Sequence, residues 1–315
     1  MRFRLFILSL FFLTQVPLYS QDSIFLFSYF MDNGQDGLYL AYSDNGYSWT
    51  PLNENKSFLA PQVGRDKLMR DPCIIKGPDG KFHMVWTVSW NEKGVGYAYS
   101  NDLINWSAQR YIPVMEHEAT ARNCWAPEII FDDKQGMYMI YWSTTIPGKF
   151  PDTDSTGDNG YNHRMYYVTT ADFIEFSQTE LFYDHGFNVI DGTILKAHDE
   201  YLLFVKNETK HPQVEKNILI SKAEKMTGPY SEPSGPVTDN WVEGPTATKL
   251  GDKWILYFDM YTRHKMGAIV SKDLTTWEDI SDQIQFPEGT RHGSVFRVDL
   301  QTFEKLKNYK SNTGD

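Results

Sequence analysis

The chain has 315 residues, with 30 Lys and Arg against 41 Asp and Glu and a formal charge of −11 at pH 7. That acidic balance excludes nucleic acid and anionic membrane surfaces as partners, because both need a basic face, and it leaves neutral or cationic ligands open. The 9 Trp, 19 Tyr and 20 Phe fit short strands around an aromatic-lined cleft.

In chain order, Arg2 and Arg4 precede the apolar run LFILSLFFL, and the segment closes on PLYSQ. A basic start, a short apolar core and small residues at the end describe a signal peptide over residues 1–20. Secreted or periplasmic localisation is therefore expected, and the absence of a nearby cysteine speaks against a lipid anchor. Residues 21–315 show no internal linker and are expected to form one domain.

Two elements then recur. The first is a strand, a polar turn and an aromatic: LAYSDNGYSW (40–49), YAYSNDLINW (97–106), YYVTTADFIEF (166–176), ILISKAEKMTGPY (218–230) and AIVSKDLTTW (268–277). The second is a short apolar strand with a Gly/Asp turn, starting at 71, 126, 191, 243 and 292, roughly 50 to 65 residues apart. That spacing holds a four-stranded blade with its loops. The first hairpin has no starter before it, and the last starter has no hairpin after it. The chain thus begins partway through one repeat and completes it at the end.

The expected fold is all-β, a five-bladed β-propeller closed by pairing of the N- and C-terminal strands in one blade. A β-sandwich is the competing architecture. The segment 149–163, rich in Gly and Asp and aperiodic, is expected as an insertion loop in the second blade. The polar tail LKNYKSNTGD is expected to fray.

Aligned on their apolar strands, the starters place Asp71, Ala126, Asp191, Glu243 (within one residue) and His292 at equivalent positions near the axis. Three converging carboxylates suit glycoside hydrolysis, in which one acid protonates the leaving oxygen while another activates water or attacks the sugar. A third raises a neighbour's pKa by repulsion. The apolar neighbours of Glu243 favour a protonated acid. Asp71, before Pro72, is better placed as base. Trp125 and Trp241 either pack blades or stack on sugar. Arg70 and Arg291 either contact hydroxyls or neutralise the acids. His163, His185 and His211 are expected in loops without zinc-ligand spacing.

The segments Arg70-Asp71-Pro72, Trp125-Ala126-Pro127-Glu128, Ile190-Asp191-Gly192, Glu243-Gly244-Pro245 and Arg291-His292-Gly293 resemble the blade-start motifs of glycoside hydrolase family 43, in order along the whole mature chain. The resemblance implies an inverting glycosidase with Asp71 as general base, Asp191 as pKa modulator and Glu243 as general acid. Gly192 stands where the family often has proline. The resemblance points to a carbohydrate substrate, with α-L-arabinofuranosidase first and β-D-xylosidase second. Galactofuranosidase, galactanase and endo-acting xylanase or arabinanase follow. No cofactor is required, although calcium or sodium beside His292 in the central channel is a possible structural cation, the alternative being a hydrogen-bonded histidine. The rival from another class is a non-catalytic glycan-binding propeller.

Cys73 and Cys124 fall four residues out of step on adjacent inner strands, about 13 Å at roughly 3.3 Å per residue. A disulfide needs Cα atoms within about 7 Å, so two free thiols are expected.

Overall fold

Neighbouring blades cover both faces of each sheet, so the second strand of every blade is a nearly unbroken apolar run instead of an alternating one. FHMVWT, MYMIYWSTT, EYLLFVKN, KWILYFDM and SIFLFSY are buried along almost their whole length. The few polar residues that interrupt them, Lys206 and Asp259 among them, sit near the ends of their strands.

A computed structural model describes residues 23–311 of the chain. The expected signal peptide lies outside the described residues. The fold is all-β, and five antiparallel sheets form a five-bladed β-propeller. Strands β1 (Ser23–Tyr29), β2 (Tyr39–Ser43) and β3 (Thr50–Pro51) belong to the last blade. Blade I holds β4 (Arg70–Lys76), β5 (Phe82–Thr87), β6 (Val95–Ser100) and β7 (Arg110–Ile112). Blade II holds β8 (Trp125–Asp132), β9 (Met137–Thr145), β10 (His163–Thr170) and β11 (Glu180–Tyr183). Blade III has β12 (Val189–Ala197), β13 (Glu200–Asn207) and β14 (Ile218–Ala223). Blade IV has β15 (Glu243–Leu250), β16 (Lys253–Met260), β17 (Lys265–Ser271) and β18 (Glu278–Asp279). Strand β19 (Ser294–Asp299) pairs antiparallel with β1, Ser28 opposite Ser294. The five starters are the first strands β4, β8, β12, β15 and β19, which follow one another around the channel.

The hairpin motif has a local physical cause. In β6–β7, Asp102 Oδ1 accepts from the backbone N–H groups of Ile104 and Asn105, while Ser100 Oγ accepts from Leu103 N. Asn45 with Ser43, Asp172 with Thr170, and Asp273 with Ser271 repeat the arrangement. These side chains stand in for the missing ladder partners of a tight turn. The residue after the Asp or Asn adopts positive φ, and Leu103, Phe173 and Leu274 in that conformation bury their side chains between blades. Four blades use this turn. The copy at 218–230 does not, because its Ala223-Glu224-Lys225 offers no such pair. There the fourth strand is replaced by a looser run, in which Ser231, Ser234 and Val237 donate to the carbonyls of Lys222, Ile220 and Ile218.

The described part of the tail departs from expectation, and residues 312–315 lie outside the described residues. Leu300–Asn308 forms a helix, α1, capped by Asp299, which accepts from Thr302 N. Its Phe303 and Leu306 are buried against the last blade, and Tyr309 stacks on Phe58. The apolar residues are few, but their spacing of three gives the short helix one dry face. Among the described residues no helix is long and apolar enough to cross a membrane. Cys73 and Cys124 are both buried and free.

Candidate active site

The first strands of blades I to IV share a kink that aims side chains into the channel. Each ladder slips register at its start, between Arg70 and Cys73, Trp125 and Glu128, Ile190 and Gly192, and Glu243 and Thr246. The residue in the bulge adopts positive φ: Asp71 (52°), Ala126 (47°), Asp191 (52°) and Gly244 (59°). Non-glycine residues in that region are strained, and such bulges cluster where a side chain must be re-aimed. By this register Gly244, and not Glu243, is the equivalent of the two aspartates. Glu243 occupies the position of Arg70, Trp125 and Ile190. Gly244 has no room for a side chain, since a Cβ there would lie 2.3 Å from the His292 ring.

The bulges hold one another. Thr87 Oγ1 donates to Asp71 Oδ2 at 2.8 Å and accepts from Ala126 N at 2.8 Å, linking blades I and II. Gly244 N donates to Asp191 Oδ2 at 3.1 Å, linking blades III and IV. His292 Nδ1 lies 3.4 Å from Asp71 Oδ1 and 3.9 Å from Asp191 Oδ2. Asp71, Asp191, Glu243 and His292 thus line one open cavity of 420 Å³.

Glu243 is not in the apolar setting that its sequence neighbours suggest. Lys206 Nζ stands 3.1 Å from its Oε2, and Arg291 Nη2 stands 3.1 Å from its Oε1. Burial pushes its pKa up, but Lys206, Arg291 and His292 together outweigh burial and hold the carboxyl down at about 2. Asp191 goes the other way: burial first, then the charges of Glu243 and Asp71, lift it to about 6 against the opposing pull of His292 and Lys206. Asp259, opposite Glu243 across β15–β16, binds Arg291 Nε at 2.7 Å. Burial and the Glu243 charge raise its pKa to about 6. Burial lowers the pKa of His292, and Asp191, Asp71, Glu243 and Glu128 reverse that into a net rise.

Nearby, Glu128 is buried and accepts from Tyr141 Oη at 2.7 Å. Burial lifts its pKa to about 7, against hydrogen bonds from Tyr141 and Thr193.

Arg70 donates to Asn33 Oδ1 at 3.0 Å, and its guanidinium lies over Phe30 and Trp90, 4.6 and 4.4 Å from the ring centres. Trp125 meets Trp90 edge to face at 5.4 Å. Arg70, Trp90 and Trp125 line the cavity. Trp241 does not: it is 38% exposed and lies against Tyr261. His163 is not in a loop. It opens β10, fully buried, with Thr145 Oγ1 on its Nδ1 at 3.0 Å. Among the described residues no three His, Cys, Asp or Glu side chains are grouped to hold a metal. His292 faces the Asp71 and Asp191 carboxylates directly, and these are the side chains that would flank an axial calcium or sodium.

Sequence reasoning missed Lys206, Asp259, Glu128, Glu208 and Trp90. Lys206 and Asp259 carried a signal, since each is a charge closing an otherwise apolar strand whose burial demands a partner. Glu128 closes the Trp125-Ala126-Pro127-Glu128 segment, where its chain neighbours do not show that folding buries it against Tyr141.

The family described as "Probable glycosyl hydrolase domain", related to glycoside hydrolase family 43, matches residues 22–304. An α-L-arabinofuranosidase of Bifidobacterium longum subsp. longum is 25% identical over 302 residues, covering 78% of this chain, while the chain spans 28% of that relative's length. Among solved structures, an α-L-arabinofuranosidase from Lactobacillus brevis aligns over 67% of this chain and 72% of its own, at TM-score 0.53 and 19% identity. A thermostable family-43 glycoside hydrolase aligns over 71% and 78%, at TM-score 0.54 and 15% identity. An exo-β-1,3-galactanase from Phanerochaete chrysosporium aligns over 70% and 52%, at TM-score 0.53 and 14% identity. These structural likenesses show the propeller fold; the match across nearly the whole described chain shows the family, and the chain belongs to the family-43 group of glycoside hydrolases.

Proposed function

We propose that this glycoside hydrolase is an inverting α-L-arabinofuranosidase that removes side-chain sugars from polysaccharides or oligosaccharides, with β-D-xylosidase activity as the next reading. The observation that carries it is the convergence of Asp71, Asp191 and Glu243, from three blades, on one open cavity. The arabinofuranosidase reading leans on the curated relative's activity.

In this mechanism Asp71, steadied by Thr87, takes a proton from a water that attacks the anomeric carbon. Glu243 gives a proton to the glycosidic oxygen as its bond to that carbon breaks, so one C–O bond forms as the other is lost. Glu243 rests ionised between Lys206 and Arg291 and takes up a proton from solvent as substrate hydroxyls draw on those two cations. Asp71 gains the proton lost by water, Glu243 loses its own to the leaving group, and exchange with solvent resets both. Asp191 repels charge on Glu243 and so favours that uptake. No step passes through a channel cation.

The test is hydrolysis of p-nitrophenyl α-L-arabinofuranoside, β-D-xyloside and β-D-galactofuranoside by wild type, Asp71→Asn and Glu243→Gln. One substrate is expected to turn over, each variant losing about 10²-fold or more. Proton NMR is expected to show the opposite anomer first. Full activity in Asp71→Asn overturns the base assignment, and first release of the retained anomer overturns inversion.

A further inference from the structure

Beside the catalytic cavity lies a second one of 380 Å³, sharing Trp90, Trp125 and Glu208 with it and closed on the far side by Asp158, Tyr161 and His163. Its far wall is the end of the 149–163 insertion, which the catalytic cavity itself does not touch. The volume falls in the range of small-ligand sites, roughly 300–1,000 Å³.

The walls are aromatic. Tyr161 stands 4.6 Å from Trp125, and it stacks on His163 at 5.3 Å with the rings 11° apart. Arg122 caps Tyr161 at 3.9 Å and is tied to the backbone oxygen of Gly160 at 2.9 Å, so the tyrosine is fixed before any ligand arrives. The charges present are already paired. Asp158 is held by Lys210 and Lys216, and Glu208 by Lys206 and Lys216. His163 is 99% buried and uses Nδ1 on Thr145. Its Nε2 has no hydrogen-bond partner among the described residues, although the ring lines the cavity. Burial, then the charges of Lys206 and Arg122, hold its pKa at about 3, so it meets a ligand as a neutral imidazole.

Aromatic faces, a neutral ring nitrogen and carboxylates already paired with lysines suit an uncharged polyhydroxylated ring and leave no charged side chain free for an ion. We propose that this second cavity is a neutral-sugar subsite, built by the insertion, that seats the sugar on the far side of the scissile bond. The proposal rests on the glycosidase reading above. It makes the insertion the part of the chain that selects which glycan is cut.

Binding separates the two ideas, because it needs no turnover. Xylotetraose, α-1,5-arabinotetraose and β-1,3-galactotetraose are titrated into Glu243→Gln protein, followed by tryptophan fluorescence from Trp90 and Trp125. The same titrations use Glu243→Gln carrying Tyr161→Ala, and carrying Tyr161→Leu should the alanine loosen the loop. At least one tetrasaccharide is expected to bind, about tenfold more weakly without the aromatic face. The matching monosaccharide, which fills only the first cavity, is expected to shift by about threefold at most. Equal tetrasaccharide affinity in a folded Tyr161 variant overturns the subsite, as does failure of every tetrasaccharide to bind at ~10 mM. Failure of wild type to release any sugar overturns the glycosidase assignment and leaves the binding comparison readable on its own.

Discussion

The buried Lys206 ammonium lies 3.1 Å from the partly exposed Glu243 carboxylate. An opposite charge at that distance lowers a carboxyl pKa by about 1–3 units. Lys206→Met removes the largest single pull on Glu243, so the acid keeps its proton to higher pH. The Glu243 carboxyl of the free protein is expected to titrate about one pH unit or more higher in the variant, followed by its carboxylate infrared band with Glu243→Gln as the blank. A band that titrates at the same pH in both proteins shows that Lys206 does not hold this carboxyl down.

Glu128 makes a separable prediction about stability. Its folded pKa, about 7, lies above the 4.5 of an ordinary glutamate. Between those values the folded chain holds a proton that the unfolded chain releases, so the contribution of this group falls as pH rises and is fully lost above 7. Glu128→Gln keeps the shape and cannot ionise. It is expected to exceed wild type in stability by about 3 kcal/mol at pH 8 and by little at pH 4. Urea unfolding at the two pH values checks this, and an equal offset at both overturns it.

The fold was readable because its repeats are written twice, once in apolar runs and once in the Ser/Thr-x-Asp turn whose side chains complete the backbone hydrogen bonds. Blade III is the copy that the structure corrects: Ala223-Glu224-Lys225 matches the pattern in position and not in chemistry. The positions of Asp71 and Asp191 followed from strand starts alone. The setting of Glu243 did not, because Lys206 and Arg291 reach it from other strands, and chain neighbours such as Val242 say nothing about partners brought by folding. Trp241 illustrates the same limit: one residue from Val242, it turns out of the cavity at φ 69°.

Arg164 anchors the insertion and gives a third prediction. It is 1% exposed and donates to Asp184, Asn162 and Thr153, with its guanidinium 4.3 Å from the Phe150 ring centre. Arg164→Ala leaves Asp184 without its cation and the 149–163 segment without its pin, at a cost on the order of 3 kcal/mol. Limited proteolysis is expected to cut within 149–163 in the variant and not in wild type. Resistance equal to wild type shows that the loop is held by other contacts.

The two cysteines give a chemical check. Burial pushes both thiols up, Cys73 beside Glu128 and Cys124 beside Thr144, so neither forms a thiolate at neutral pH. A thiol reagent is expected to label neither in the native protein and both after denaturation. Denatured protein with no reactive thiol until reduced contradicts two free cysteines.

Gly244 links backbone conformation to the layout of the channel carboxylates. In blades I to III the bulge residue carries a side chain despite positive φ, and in two of them that side chain is a channel carboxylate. Blade IV cannot do the same, because the His292 ring fills the space where a Cβ would point. The carboxylate of this blade therefore comes one residue earlier, from Glu243, and faces Lys206 and Arg291 where the aspartates face His292. Gly244→Ala forces either the ring or the bulge to move, and both choices shift His292 against Asp71 and Asp191. Left-handed strain alone costs about 1–2 kcal/mol, which lowers the melting temperature modestly. Displacement of about 1 Å at the reacting groups costs about 10²-fold in rate. The variant is thus expected to stay folded and lose most of its kcat, whereas Ala126→Gly, at the equivalent bulge with no carboxylate, relieves strain and leaves kcat near wild type. Equal kcat in the two variants overturns the coupling between the blade IV bulge and the site.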